Sequence, residues 1–130
     1  MTADCITVRV YYEDTDLAGI VYYANYLRYI ERGRTEYVRA RGIEQARLRD
    51  EAGLVFAVRR LEADYLAPAR FDDLLAVQTE ATRIGGARVE MRQAVLRGDT
   101  PLFRATVTLA LLDATGRPCR LPPELKRALG

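Results

Sequence analysis

Between residues 5 and 12 apolar side chains fall on every second position. Ile6, Val8 and Val10 alternate with Thr7 and Arg9, a period of two that predicts a strand running to Tyr12. From Val21 to about Arg41 the spacing changes to that of a helix. Tyr23, Leu27, Ile30, Tyr37 and Ala40 lie along one face, Tyr22, Tyr26 and Tyr29 widen it, and Arg28, Glu31, Arg32, Glu36 and Arg39 cover the remainder. Arg32 and Glu36 are placed as i,i+4 partners, and Glu31 is expected to pair with Arg28 or Arg34. Gly33 interrupts the helix at a cost of about 1 kcal/mol relative to Ala, either as a tolerated defect or to admit a neighbouring backbone. Gly42 supplies a stop, and Glu44 to Ala52 reads as a second, short helix ending at Gly53.

The remaining sequence changes character. Four long alternating or β-branched runs cover 54–66, 74–84, 88–96 and 102–112. They are separated by Pro68 with Asp72-Asp73, by Gly85-Gly86 and by Gly98-Asp99, and Gly116 follows the last. Alternation falters around Gln93, where a bulge is expected. Arg59 and Arg60 are adjacent on a strand and so face opposite sides. The tail from Leu121 to Lys126 reads as an extended stop followed by a last helical turn. Short connections between the later strands imply antiparallel neighbours. One long apolar-faced helix then has a single antiparallel sheet available to bury it. The expectation is an α+β fold, residues 1–130 as one domain, with a curved sheet of about five strands around a central helix.

Composition narrows the chemistry. With 49% hydrophobic and 29% charged residues the chain can build a core and a wet surface, and a net charge of +2 gives no argument for nucleic acid or a membrane surface. No apolar run approaches the roughly 20 residues needed to span a bilayer. The first residues show no basic start followed by an apolar stretch, so a cytoplasmic location is expected, with Cys5 and Cys119 as free thiols. Histidine is absent. That removes Ser-His-Asp and Cys-His nucleophiles, His-based metal sites, and hydratases built on a histidine–carboxylate pair. Acid–base work must come from Asp, Glu, Tyr, Lys, Cys or ordered water.

The segment between the first strand and the long helix offers such groups. Asp14 and Asp16 stand in a loop closed by Gly19, just ahead of the helix front. Amides there lack intrahelical acceptors and carry the positive end of the helix dipole. A carboxylate beside fixed N–H donors suits acyl-group hydrolysis: one part attacks or activates water, the other holds the developing oxyanion. Taken alone, Asp16 reads better as a cap of the helix or loop, a very common job for Asp.

The longer text decides between these. Tyr11-Tyr12-Glu13-Asp14-Thr15-Asp16, Gly19-Ile20-Val21-Tyr22-Tyr23, Asn25-Tyr26 and Glu31-Arg32-Gly33-Arg34-Thr35-Glu36 resemble the hotdog-fold acyl-CoA thioesterases. The nearest branch is the 4-hydroxybenzoyl-CoA thioesterase family, with its small bacterial members associated with the Tol–Pal system; residues 56–69 and the Leu121-Pro122 tail extend the likeness. The resemblance implies hydrolysis of an acyl-CoA to a free acid and coenzyme A, without metal or cofactor. It implies Asp16 as the catalytic carboxylate, as nucleophile or general base, and the backbone N–H of Tyr23 at the helix start as the group polarising the carbonyl. Gly19, Ile20, Val21 and Tyr22 would line the substrate, and Arg83, Gly85, Gly86 and Arg88 would meet the nucleotide phosphates. Tyr23 stands where the Tol–Pal branch commonly has histidine. The family also implies a homodimer or homotetramer with the site between subunits, and Tol–Pal or lipid-metabolism proteins as partners. An acyl-CoA-binding or scaffold module and an acyl-carrier-protein thioesterase are the alternatives.

Overall fold

The computed structural model describes residues 4–130. The amino-terminal reading on which the cytoplasmic expectation rests therefore falls partly outside the described residues. In chain order the elements are β1 (Asp4–Arg9), α1 (Asn25–Ala40), α2 (Gln45–Ala52), β2 (Val55–Tyr65), β3 (Leu74–Ile84), β4 (Arg88–Arg97), β5 (Thr100–Leu112), β6 (Pro118–Cys119) and α3 (Pro123–Leu129). The strands form one antiparallel sheet in the order β1-β3-β4-β5-β2, with β6 added beside the end of β5. The sixth strand is only two residues long, and the four long runs match β2 to β5 closely. Helix α1 lies across β1, β3 and β4, the hotdog arrangement that the resemblance implies. Among the described residues no helix is long and apolar enough to cross a membrane, and Cys5 and Cys119 are free thiols.

Two boundaries differ from the expectation. Strand β1 ends at Arg9, not Tyr12. Val10 still exchanges backbone hydrogen bonds with Asp72 and Asp73. The amide of Tyr11 then donates to the Asp14 carboxylate, and Tyr12–Asp14 winds into a single 3₁₀ turn. Helix α1 begins at Asn25, four residues later than the apolar spacing suggests. Val21 is held extended instead, its N–H donating to the carbonyl of Ala69 at 2.8 Å while it bridges Thr15. These tertiary bonds outweigh local helix preference. The buried stripe is accordingly Asn25, Tyr26, Tyr29, Ile30, Gly33, Tyr37 and Val38, whereas Tyr23 and Ala40 are exposed.

The expected bulge at Gln93 is also corrected. Val89, Met91, Gln93 and Val95 all point inward in unbroken alternation, and Gln93 pairs in register with Thr79 and Ala105. The pattern falters in the sequence because one inward residue is polar. Its Nε2 donates to the carbonyl of Ile30 at 2.7 Å and to Thr79 Oγ1 at 2.8 Å, and its Oε1 accepts from Arg34. A buried amide so satisfied costs little. The irregularities fall instead at Val58/Arg60, Ala81/Arg83 and Val95/Leu96. Arg59 therefore sits in a break of the ladder, not in regular alternation with Arg60.

Surface pairing on α1 is rearranged in the same way. Glu36 binds Arg39 instead of Arg32, whose guanidinium lies over the Tyr29 ring at 5.7 Å. Glu31 accepts from the Thr35 hydroxyl, since Arg34 is drawn inward by Gln93.

Gly33 faces this buried amide. A Cβ there would lie 2.8 Å from Thr79 Oγ1, 2.9 Å from Val77 Cγ1 and 3.2 Å from Gln93 Nε2, so the helix approaches sheet side chains, not a second backbone. Gly33→Ala should lower stability by about 1–3 kcal/mol, overpacking outweighing the helix preference of Ala. Urea unfolding of the two proteins measures this; a stabilised variant would refute the close contact.

Candidate active site

Asp16 owes its position to a small backbone hairpin. Its N–H donates to the carbonyl of Ile20 at 2.9 Å, and its own carbonyl accepts from Gly19 N–H at 3.0 Å. Gly19 turns the chain at φ +79°, in the left-handed region open to glycine. The Asp16 side chain completes the turn: Oδ1 accepts from Ala18 N–H at 2.9 Å and Ile20 N–H at 3.4 Å. Oδ2 has no partner among the described residues. Asp14 is used differently, its Oδ2 accepting from Tyr11 N–H at 2.8 Å within the chain's own turn.

The helix front stands beside this hairpin. Tyr22 N–H and Asn25 Nδ2 both donate to the carbonyl of Asp14, at 2.8 and 2.9 Å. Asn25 N–H in turn donates to the carbonyl of Tyr22 at 2.8 Å. The N-cap is Ala24, which offers no side-chain acceptor, and the amide of Tyr23 has no acceptor among the described residues. That amide lies in the turn two residues before α1, not at the helix start. A Ser, Thr or Asp cap would have an oxygen to place over the amides of the helix front. The Tyr65 hydroxyl donates to the carbonyl of Tyr23 at 2.8 Å and steadies the turn from β2.

These groups share one cleft of about 470 Å³. Asp16, Ile20, Val21, Tyr22 and Tyr23 form one wall; Tyr26, Tyr65 and residues 66–68 form the other. The floor is aromatic: Tyr26 stacks on Phe103 at 5.1 Å, and Tyr65 meets both edge-on. Burial pushes the phenols of Tyr26 and Tyr65 above their ordinary values, so both stay protonated and serve as hydrogen-bond donors or acceptors, not bases. Gly19 shapes the loop without lining the cleft.

The remaining expected residues lie elsewhere. Arg83, Gly85, Gly86 and Arg88 line a separate hollow of about 390 Å³ at the β3–β4 hairpin, with Glu90 and Thr108. Tyr65 pairs with Phe103 and Arg88 with Ala110, seven residues further along β5, which is about 23 Å at strand rise. One chain thus holds the cleft and the hollow far apart. Arg120 reaches over Gly86, where a Cβ would stand 2.9 Å from its Nη2. Neither Arg120 nor the Tyr65–Pro68 wall is visible in sequence spacing, because strand pairing brings both in; Pro68 signals only the end of a strand.

The far wall has its own clamp. Asp73 accepts from Arg70 N–H at 2.8 Å and from Arg97, which also donates to the carbonyl of Pro68. Burial alone would raise the Asp73 carboxyl, but the Arg70 amide and the Arg97 guanidinium outweigh it and hold it below the usual carboxylate range.

Comparison with known proteins gives a consistent picture. The family model described as the thioesterase-like superfamily matches residues 10–129. An acyl-CoA thioesterase, YbgC, of Haemophilus influenzae is 44% identical over 93% of this chain and 90% of its own length. The crystal structure of a probable thioesterase from Bartonella henselae superposes with a TM-score of 0.90 at 40% identity, covering 93% of this chain and all of that one. A 4-hydroxybenzoyl-CoA thioesterase complexed with 4-hydroxybenzoyl-CoA shares the fold at 21% identity, with a TM-score of 0.91 over 98% and 99% of the two chains.

Because the Asp73 carboxyl is depressed by folding, its contribution to stability is present above the unfolded value of about 3.9 and is lost as pH falls through the lower folded value. Asp73→Asn should therefore destabilise the protein near neutrality. The gap to wild type should close on acidification below about pH 4. Denaturant midpoints across pH 2.5–7 test this; a constant gap would refute it.

Proposed function

The chain belongs to the thioesterase-like superfamily, and from that premise we propose that it hydrolyses an acyl-CoA thioester to a free acid and coenzyme A. One observation carries the reading. Asp16 keeps one carboxylate oxygen fixed by two amides, and it shares an aromatic cleft with Tyr23; among the described residues neither its other oxygen nor the Tyr23 amide has a partner.

The chemistry follows from this arrangement. The acyl group enters the aromatic cleft, and its thioester carbonyl accepts from Tyr23 N–H. Negative charge develops on that oxygen as the carbon becomes tetrahedral, and a fixed donor in a partly dry cleft stabilises it most at that moment. Asp16 Oδ2 either attacks the carbonyl carbon, expelling the thiolate and leaving a mixed anhydride for water to cleave, or removes a proton from the attacking water. Coenzyme A leaves as a thiolate, a group stable enough to depart without a strong general acid. This is compatible with a chain that has no histidine. The route draws on the chain and water alone.

We further propose that the active unit is a homodimer paired through β2. This strand forms one edge of the sheet and exposes Val58, Leu61 and Tyr65, a liability that pairing removes. Antiparallel pairing across a two-fold axis would set the partner's Ala57 end against this chain's Tyr65 end. The partner's arginine hairpin would then approach this chain's cleft, and coenzyme A phosphates could reach Arg83, Arg88 and the glycine amides between them.

Thiol release from a panel of acyl-CoAs tests the chemistry. Asp16→Asn should lose about 10²–10⁴-fold in kcat, while Tyr23→Phe, which keeps the amide, should stay within about tenfold of wild type. Equal, negligible rates for wild type and Asp16→Asn would favour a binding module instead. A subunit-mixing experiment tests the dimer. The double variant Arg83→Met, Arg88→Met should raise KM, and refolding it together with Asp16→Asn should restore low-KM turnover in the heterodimers. Absence of restoration would place both halves of each site on one chain.

A further inference from the structure

We propose that Asn25 is the positioning residue that sets the separation between the Asp16 carboxylate and the Tyr23 amide, an inference that rests on the proposed function. Asn25 is 7% exposed and opens α1, yet it does not cap the helix. Helix-opening asparagines ordinarily turn their side-chain oxygen onto amides of the first turn. Here the N-cap position belongs to Ala24, and the Asn25 side chain is directed out of the helix. Its Nδ2 donates to the carbonyl of Asp14 at 2.9 Å, eleven residues back.

Its backbone makes the complementary bond. Asn25 N–H donates to the carbonyl of Tyr22 at 2.8 Å. That carbonyl belongs to the same planar peptide unit as the N–H of Tyr23. Holding the oxygen therefore fixes the direction in which the Tyr23 donor points. The side-chain bond meanwhile fixes the carbonyl two residues before Asp16. Tyr22 N–H donates to that same carbonyl, which closes a small ring of bonds. One residue thus grips both partners of the reaction, the carboxylate through its loop and the amide through its peptide plane. A change of about 1 Å between such groups can cost on the order of 10²-fold in rate.

Asn25 lines neither the cleft nor the arginine hollow, so its removal should act on geometry and not on ligand contact. Asn25→Ala should lower kcat by about 10–100-fold with KM within about threefold, at unchanged pH-profile shape. Asn25→Asp keeps the shape but replaces the donor. Its carboxyl can donate to the Asp14 carbonyl only while protonated, and once ionised it repels that oxygen. The titratable and charged groups around it are Asp14 and Asp16 on the loop and Tyr22, Tyr26, Arg28, Tyr29 and Arg32 along the helix front. Burial raises the Tyr29 phenol, with the Asp14 charge adding to it, so this ring also stays neutral. Asn25→Asp should therefore show a new loss of kcat on the alkaline side that neither wild type nor Asn25→Ala shows.

Amide hydrogen exchange gives a readout independent of turnover: the amides of Ala18, Ile20 and Tyr22 should lose protection in Asn25→Ala throughout, and in Asn25→Asp once its carboxyl is ionised. If Asn25→Ala does not fold, Asn25→Asp at acidic pH still decides the matter. Unchanged kcat per folded molecule, or a uniform drop in Asn25→Asp without the alkaline limb, overturns the positioning role. Asp16→Asn measured alongside separates the two claims, because its full activity would overturn the proposed chemistry whatever Asn25 does.

Discussion

The contact between α1 and the sheet at Gly33 governs the rest of the molecule. With no side chain on the helix at that point, Gln93 can reach the carbonyl of Ile30, and the helix axis is drawn against β3 and β4. A buried polar bond of this kind has few alternative geometries, since any shift leaves an amide unsatisfied in the core. The helix is thereby fixed in rotation as well as depth. Its front then falls beside the turn after β1, and Tyr26, Tyr29 and Tyr37 fall inside.

From that placement the cleft follows. Tyr26 stacks on Phe103 of β5 while its hydroxyl accepts from the amide of Ala69, so the helix, the sheet and the segment after β2 meet in one ring. Val21 bonds to the other side of Ala69. The acidic hairpin is thus suspended between the front of α1 and the 67–73 segment, and the Asp73–Arg97 pair keeps that segment tied to the end of β4.

Much of this was legible in the chain. The four long strands announce themselves by alternation and by the turn residues between them, and the long helix by its tyrosine-rich face. What local pattern could not convey was the outcome of competition with distant bonds. Val21, Tyr22 and Tyr23 carry a helical spacing but are held out of the helix by Ala69 and Asp14. Gln93 imitates an irregularity because a polar residue can occupy the core when its hydrogen bonds are met there. At the site, the motif brings residues 16 and 20–23 into one wall, as their closeness in sequence allows. Tyr65 and the arginine hairpin depend on strand register, which spacing along the chain does not encode. The same register sets the hairpin far from the cleft within one chain.

The bonds that assemble the hairpin and the helix front run largely between main-chain atoms: the carbonyls of Asp14, Asp16, Ile20, Tyr22 and Ala69, and the amides of Asp16, Gly19, Val21, Tyr22 and Asn25. Such atoms are present whichever amino acid occupies the position. Selection on this architecture therefore acts on the path of the chain more than on the identity of most residues along it. Side chains along the cleft's lining can therefore be exchanged while the same arrangement of main-chain donors and acceptors stays in place.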